Sequence, residues 1–227
     1  MKVTVIGTGH VGLVVGLCFS EIGHDVVCID NDLEKIAALQ DGRSPFFEPH
    51  IDSLHKRNVD LHRVRFSSSL EDGVAHSEMI FLCLGTPPLP NGEADLSSVE
   101  RVTRQIAKLS ASYKLVIEKS TVPVLTGERI HETLQLYGRQ AENVEFDVAS
   151  NPEFLAEGTA VLDFLCPDRI VIGVETAKAE ELLRKIYEPI VRQDFAWNLD
   201  CPRPRDGQPA PILATNRNSA ELIKHAS

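Results

Sequence analysis

The chain has 227 residues, 43% hydrophobic and 25% charged, the balance of a soluble globular protein with one large α/β domain or one domain plus a small appendage. A net charge of −10 argues against general nucleic-acid binding and leaves any anionic ligand to local devices such as helix N-termini and single Arg or Lys side chains. No run approaches the roughly 18 uncharged apolar residues a membrane helix needs, and Met1-Lys2 leads straight into an apolar strand without a signal-peptide pattern, so a cytoplasmic location is expected.

In chain order, strands are expected over 3–6, 26–29, 64–66, 79–84, 115–118, 146–150 and 169–173. Helices are expected over 11–22, 33–39, 51–56, 97–109, 127–136 and 177–190, and Ser69-Leu70-Glu71-Asp72 reads as the start of another short one. This alternation predicts an α/β fold with a doubly wound, mostly parallel sheet and right-handed crossovers. Ligands then lie outside the carboxyl ends of the strands, where the strand order reverses. Residues 198–211 are rich in proline and glycine, which excludes a central strand or helix and leaves an exposed loop or a linker. The expected organisation is a dinucleotide-binding domain over 1–197, a loop or linker over 198–217, and the first turns of a helix over 218–227 that fray where the chain stops.

The first strand runs into Gly7-Thr8-Gly9-His10-Val11-Gly12, which opens a helix, and the second strand ends at Asp30. These are the parts of a dinucleotide-binding fingerprint of the Rossmann type. Gly7 permits the tight turn, Gly9 leaves room for a pyrophosphate against the backbone, and Gly12 lets the helix pack close to the sheet. The free N–H groups and positive end of the helix face the phosphates. A carboxylate at Asp30 accepts hydrogen bonds from ribose hydroxyls and repels a 2′-phosphate, favouring NAD over NADP; the alternative is a cap for the next helix, a role open also to Asn31 and Asp32. Lys35, one turn further on, lies either on the adenosine side or on a solvated face.

Five cysteines (Cys18, Cys28, Cys83, Cys166, Cys201) show no CxxC pair or metal-ligand spacing. The first three sit in apolar contexts as small hydrophobes, and the odd count fits a reducing compartment. The eight histidines are scattered, and no metal site is expected.

Three loops after strands carry polar chemistry. Leu84-Gly85-Thr86-Pro87-Pro88 brings backbone and a small hydroxyl towards a cofactor, or forms a rigid surface turn. In Lys119-Ser120-Thr121-Val122-Pro123 the hydroxyls of Ser120 and Thr121 face a ribose, a water or a substrate, or else act as helix caps. In Ser150-Asn151-Pro152-Glu153-Phe154-Leu155-Ala156-Glu157-Gly158 two carboxylates four residues apart share a cleft if the segment is helical or turned, or stand solvated. A buried one among them can manage protons.

These segments, with Ser44-Pro45-Phe46-Phe47-Glu48-Pro49, Gly92-Glu93-Ala94-Asp95-Leu96, Pro167-Asp168-Arg169-Ile170-Val171-Ile172-Gly173 and Ser219-Ala220-Glu221-Leu222-Ile223-Lys224, resemble the UDP-glucose/GDP-mannose dehydrogenase family, most closely its UDP-glucose branch. The resemblance implies oxidation of a sugar C6 alcohol to a carboxylate with two NAD and one water. It implies that Gly7, Thr8, Gly9, His10, Val11, Gly12, Asp30 and Lys35 hold the adenosine and pyrophosphate. Leu84, Gly85, Thr86, Pro87, Pro88, Ser120, Thr121 and Val122 would line the rest of the NAD site. Glu153 resembles the family's acid/base, with Thr121 holding the water. Glu153, Phe154, Leu155, Ala156 and Glu157 would contact substrate, and Glu157 also the nicotinamide side. Lys224 resembles the lysine that contacts substrate and stabilises the developing oxyanion.

The family's nucleophile is a cysteine in a Gly-Gly-Ser-Cys-Phe motif, which this sequence does not contain; Asp200-Cys201-Pro202-Arg203 is a different context. The resemblance therefore implies the N-terminal, NAD-binding part of such an enzyme, without full turnover alone. The long connecting helix through which family members form homo-oligomers would begin at the C-terminus. Oxidation of GDP-mannose or another nucleotide sugar stays open, as does a non-catalytic NAD(H)-binding module.

Overall fold

The computed structural model describes residues 1–138, 144–204 and 208–226. In β1 (Lys2–Ile6), Val3 and Val5 enter one apolar layer and Ile6 the other, so the strand is covered on both faces. The split recurs in β2 (Asp25–Ile29), with Val26 and Cys28 against Val27 and Ile29, and in β4 (Met79–Leu82), with Met79 and Phe81 against Ile80 and Leu82. Near-continuous apolar strands of this kind belong to the centre of a parallel sheet between two helical layers. The first layer is built from α1 (His10–Glu21), α2 (Leu33–Gln40), α3 (Ile51–Asp60), α7 (Ala160–Leu165) and α8 (Ala177–Arg192). The second is built from α4 (Leu70–His76), α5 (Ser97–Leu109) and α6 (Thr126–Tyr137).

With β3 (Val64–Ser67), β5 (Lys114–Glu118), β6 (Phe146–Ser150), β7 (Ile170–Gly173) and β8 (Ile212–Thr215), the sheet order is β3-β2-β1-β4-β5-β6-β7-β8. The strands from β3 to β6 are parallel; β7 meets β6 antiparallel at the single pair Ser150 and Gly173, and β8 runs parallel to β7. The chain winds outward from β1 in one direction and from β4 in the other. The switch point therefore lies between the carboxyl ends of β1 and β4, as the alternating pattern predicts.

The structure departs from the sequence expectations at four places. Residues 212–215, expected in a loop or linker, form the edge strand β8, which begins immediately after Pro211. Proline lacks the ladder N–H, so it is tolerated at a strand start; its carbonyl accepts from Ile170 N at 2.9 Å. Residues 205–207 of the same segment lie outside the described residues. The short helix α7 went unforeseen because six residues carry too little periodicity. β4 ends at Leu82 rather than at 84, since Leu84 N turns out of the ladder to a side chain, Ser120 Oγ, at 2.9 Å. Finally, α9 (Arg217–His225) opens one residue before the expected 218, where the Asn216 side chain caps it by accepting from Ser219 N. No helix among the described residues is long and apolar enough to cross a membrane.

Candidate active site

At the switch point Gly7 takes φ +97, and its N–H closes onto Ile29 O at 2.7 Å. A Cβ on Gly7 would stand 2.3 Å from Cys83 O, and one on Gly12 would stand 1.8 Å from Gly7 O, so both positions must stay bare for strand, turn and helix to meet. Gly9 differs, since a Cβ there would meet nothing within 4 Å. That open space is where a ligand can approach the backbone. Gly9 is also the N-cap of α1 and makes no side-chain cap bond, which leaves the first amides of the helix to a ligand or water.

Asp30 is buried beside this turn. Its Oδ2 accepts from Thr8 N at 2.8 Å, Thr8 Oγ1 at 2.8 Å and Lys35 Nζ at 3.0 Å, and its Oδ1 accepts from Asp32 N at 3.1 Å. Burial pushes the carboxyl up, but the Thr8 amide, Lys35, the Asp32 amide and the Thr8 hydroxyl together hold it below the usual carboxylate range. The cap of α2 is Asp32, which accepts from Lys35 N, so the capping role proposed for Asp30 falls to its neighbour. A cavity of about 620 Å³ runs along the turn, lined by Gly7, Gly9, Asp30, Lys35, Leu84 and Gly85. Ser98, Arg101 and Gln105 of α5 line it too. No motif marks those three, because only the docking of α5 decides which of its faces looks into the cleft.

The next two loops brace each other. Ser120 Oγ accepts from Leu84 N and donates to Leu82 O at 3.2 Å, while Thr86 Oγ1 donates to Thr121 O at 2.7 Å. The Ser120 hydroxyl is thus spent on holding the loops together. Val122 is buried, and its carbonyl accepts from His225 Nε2 at 2.7 Å. Thr121 and Thr86 edge a second cavity of about 560 Å³. Pro87 and Pro88 are exposed, with Pro88 bridged to Ala94.

Beyond β6 the chain runs without helix through residues 151–156. Glu153 lines a cavity of about 270 Å³ with Lys119, Asn151, Phe154, Leu155, Arg169 and Tyr187. Its Oε2 accepts from Leu155 N at 2.7 Å, and its Oε1 lies 2.7 Å from Lys224 Nζ, which also donates to Glu153 O at 2.8 Å. Glu157 and Ala156 are exposed and do not line that cavity, so the two carboxylates four residues apart do not share it. Phe154 is held under the Arg169 guanidinium at 4.6 Å.

Three side chains that sequence reading did not single out, Lys119, Tyr187 and Glu221, support this centre. Lys119 is buried on Asn151 Oδ1 at 3.0 Å, and Tyr187 OH donates to the same oxygen at 2.5 Å. Burial pulls the Lys119 ammonium down to about 8 against the opposing pull of Cys83, Glu153 and Glu118. Glu221 reaches from α9 to cap α6, accepting from Leu125 N at 2.7 Å and Gly127 N at 2.7 Å. Leu125 sits there at φ 75, a conformation unusual for a side chain of its size. Lys224 follows Glu221 by three residues, one turn along the same helix, so the cap that holds α9 also presents Lys224 to Glu153.

A glycine turn on a helix N-terminus at the switch point, with a buried acceptor at the end of the second strand, defines a dinucleotide-binding α/β domain. The chain belongs to the UDP-glucose/GDP-mannose dehydrogenase family, whose NAD binding domain it matches over residues 1–191. It is 42% identical over 229 residues to the UDP-glucose 6-dehydrogenase of Rhizobium meliloti, covering 100% of this chain and 48% of that protein. The structure of a UDP-glucose dehydrogenase from the hyperthermophilic archaeon Pyrobaculum islandicum superimposes with a TM-score of 0.87 at 34% identity, over 99% of this chain and 48% of that one. A GDP-mannose dehydrogenase from Pseudomonas aeruginosa, solved as a ternary complex, gives 0.86 at 30% identity, over 100% and 49% of the two chains. The chain thus spans about half the length of the relatives it matches.

Proposed function

We propose that this chain is the cofactor-binding part of an NAD-dependent UDP-glucose 6-dehydrogenase, which converts UDP-glucose, two NAD and water into UDP-glucuronate and two NADH. The oxidation is assigned to the whole protein. The observation that carries the reading is the contact of Lys224 with Glu153 at the carboxyl end of the sheet, on the same edge as the glycine turn. The identity to the Rhizobium meliloti enzyme supports UDP-glucose over GDP-mannose as the sugar nucleotide.

In this reading Gly7, Thr8, Gly9, His10, Val11 and Gly12 receive the pyrophosphate, and Asp30 with Lys35 receives the adenosine ribose. Bound NAD supplies the hydride acceptor. Leu84, Gly85, Thr86, Pro87, Pro88, Ser120, Thr121, Val122 and Glu157 form the remaining wall of the cofactor site. Glu153 moves the proton, Thr121 holds the water, and the Lys224 ammonium stabilises negative charge on the sugar oxygen. Phe154, Leu155 and Ala156 contact the sugar. A cytoplasmic location, and homo-oligomers formed through the helix that α9 begins, complete the proposal; Leu222 on α9 is exposed and available for such packing.

Calorimetric titration with NADH and NADPH tests it. Wild-type chain is expected to bind NADH the more tightly, and Asp30→Ala to weaken NADH by about tenfold or more, the loss of hydrogen bonds to a charged acceptor. Equal binding of NADH and NADPH by the wild type would overturn the cofactor assignment.

A further inference from the structure

The segment Ser44-Pro45-Phe46-Phe47-Glu48-Pro49 stands outside every role described so far, yet Glu48 is one of the most buried carboxylates in the chain, 2% exposed. Its Oε2 accepts from His10 Nε2 at 3.0 Å and from Gly158 N at 2.8 Å, and its Oε1 accepts from Ala160 N at 3.0 Å. His10 belongs to the glycine turn. Gly158 and Ala160 close the loop that carries Glu153 and Glu157 and open α7. Gly158 is at φ +91, a left-handed turn that only glycine adopts without strain, and from it the N–H meets Glu48. The side chain of Thr159, the N-cap of α7, makes no cap bond and is engaged by Asp163 instead, so Glu48 caps that helix from a distant part of the chain. The Phe46 ring packs against the His10 imidazole at 4.8 Å between centroids, fixing the donor against its acceptor.

We infer that Glu48 is a positioning residue that ties the cofactor's glycine turn to the 153–158 loop, setting the nicotinamide end of the cofactor site relative to its phosphate end. The inference rests on the reading that the NAD site extends from Asp30 to Glu157. Its chemistry is specific to a carboxylate. Two backbone N–H groups each need an acceptor; glutamate supplies one oxygen to each, whereas glutamine supplies one oxygen and sets an NH2 against the other donor.

The test compares wild type, Glu48→Gln and Glu48→Asp for binding of NADH and of ADP, which lacks the nicotinamide half, with backbone amide exchange followed at Gly158 and Ala160. Glu48→Gln is expected to weaken NADH by about fivefold or more, the loss of one charge-assisted hydrogen bond, while ADP stays within about twofold. Exchange at the two amides should quicken by about tenfold on the same ground. Glu48→Asp keeps both oxygens on a shorter stem and is expected to show the same split in smaller degree; it serves if the glutamine variant does not fold. Equal weakening of ADP and NADH, or unchanged exchange at Gly158 and Ala160, would overturn the inference. Absence of NADH binding in the wild type would instead overturn the cofactor reading, while the exchange data would still decide whether Glu48 holds the loop.

Discussion

Lys224 Nζ stands 2.7 Å from Glu153 Oε1 and 2.8 Å from the backbone carbonyl of the same residue, although 71 positions separate the two in the chain. Their side chains are 22% and 10% exposed, so the contact is shielded enough to contribute to stability.

That contact should appear as a coupling energy. Denaturant unfolding of Lys224→Ala, Glu153→Ala and the double variant is expected to give a coupling of about 1–2 kcal/mol, within the range for partly buried partners in direct contact. A value within about 0.3 kcal/mol of zero would mean that this contact adds nothing to the others that hold α9, among them those of Glu221, His225 and Arg217.

Gly9 and Gly12 should separate binding from folding. Gly12→Ala drives a methyl into the Gly7 carbonyl, backbone that cannot yield, and is expected to cost about 3 kcal/mol or more. Gly9→Ala enters open space, so stability should fall by no more than about 1 kcal/mol, the penalty for alanine at an N-cap. NADH affinity should nevertheless fall by about tenfold or more, because the methyl occupies the approach to the helix N-terminus. Thermal melts and NADH titration of the two variants check the contrast.

Glu118 predicts a pH effect on stability. It is buried, and among the described residues its Oε1 has no hydrogen-bond partner, as is true of Ser150 Oγ on the residue in register with it. Burial first, and then the Glu221 carboxylate, push Glu118 well above the usual carboxylate range. The folded protein therefore binds this proton more tightly than the unfolded chain does. The stability it contributes is fully present below about pH 4.3 and is lost as pH rises through the folded value. Glu118→Gln cannot lose a proton, so the variant's melting temperature should gain on the wild type as pH rises. Parallel melting curves across that range would refute the assignment.

Lys119 predicts the opposite slope. Its ammonium is pulled down to about 8 in the fold, so the folded protein releases this proton before the unfolded chain does. Its contribution to stability rises with pH between about 8 and the unfolded value of about 10.4. Lys119→Met lacks that rise, and the difference in denaturant midpoint between the two proteins at the ends of this window measures it.

The fingerprint was legible because each of its parts is local: strand, glycine turn, helix and Asp30 lie within the first 30 residues, and the spacing of the glycines has a backbone meaning by itself. The doubly wound, mostly parallel sheet followed from alternating strands and helices for the same reason, whereas the order of its strands came from the structure. Glu48, Lys119, Glu221 and Arg101 were not legible as site components. Their partners lie far away in sequence, and a lone charged residue carries no periodicity. The paired use of Glu153 and Glu157 was suggested by spacing, but the chain between them is not helical, so the register that would aim both carboxylates one way is absent.

From the sequence alone came the doubly wound sheet, the glycine turn with its acceptor at Asp30, and the family resemblance, all of which depend on residues close along the chain. Only the tertiary structure decided which groups meet across it. β8 completes the sheet after a proline-rich segment, Glu221 anchors α9 on the N-terminus of α6, and Lys224 is thereby placed on Glu153. These choices are made by packing and by the need of buried amides and carboxylates for partners, and neither leaves a pattern in a linear sequence.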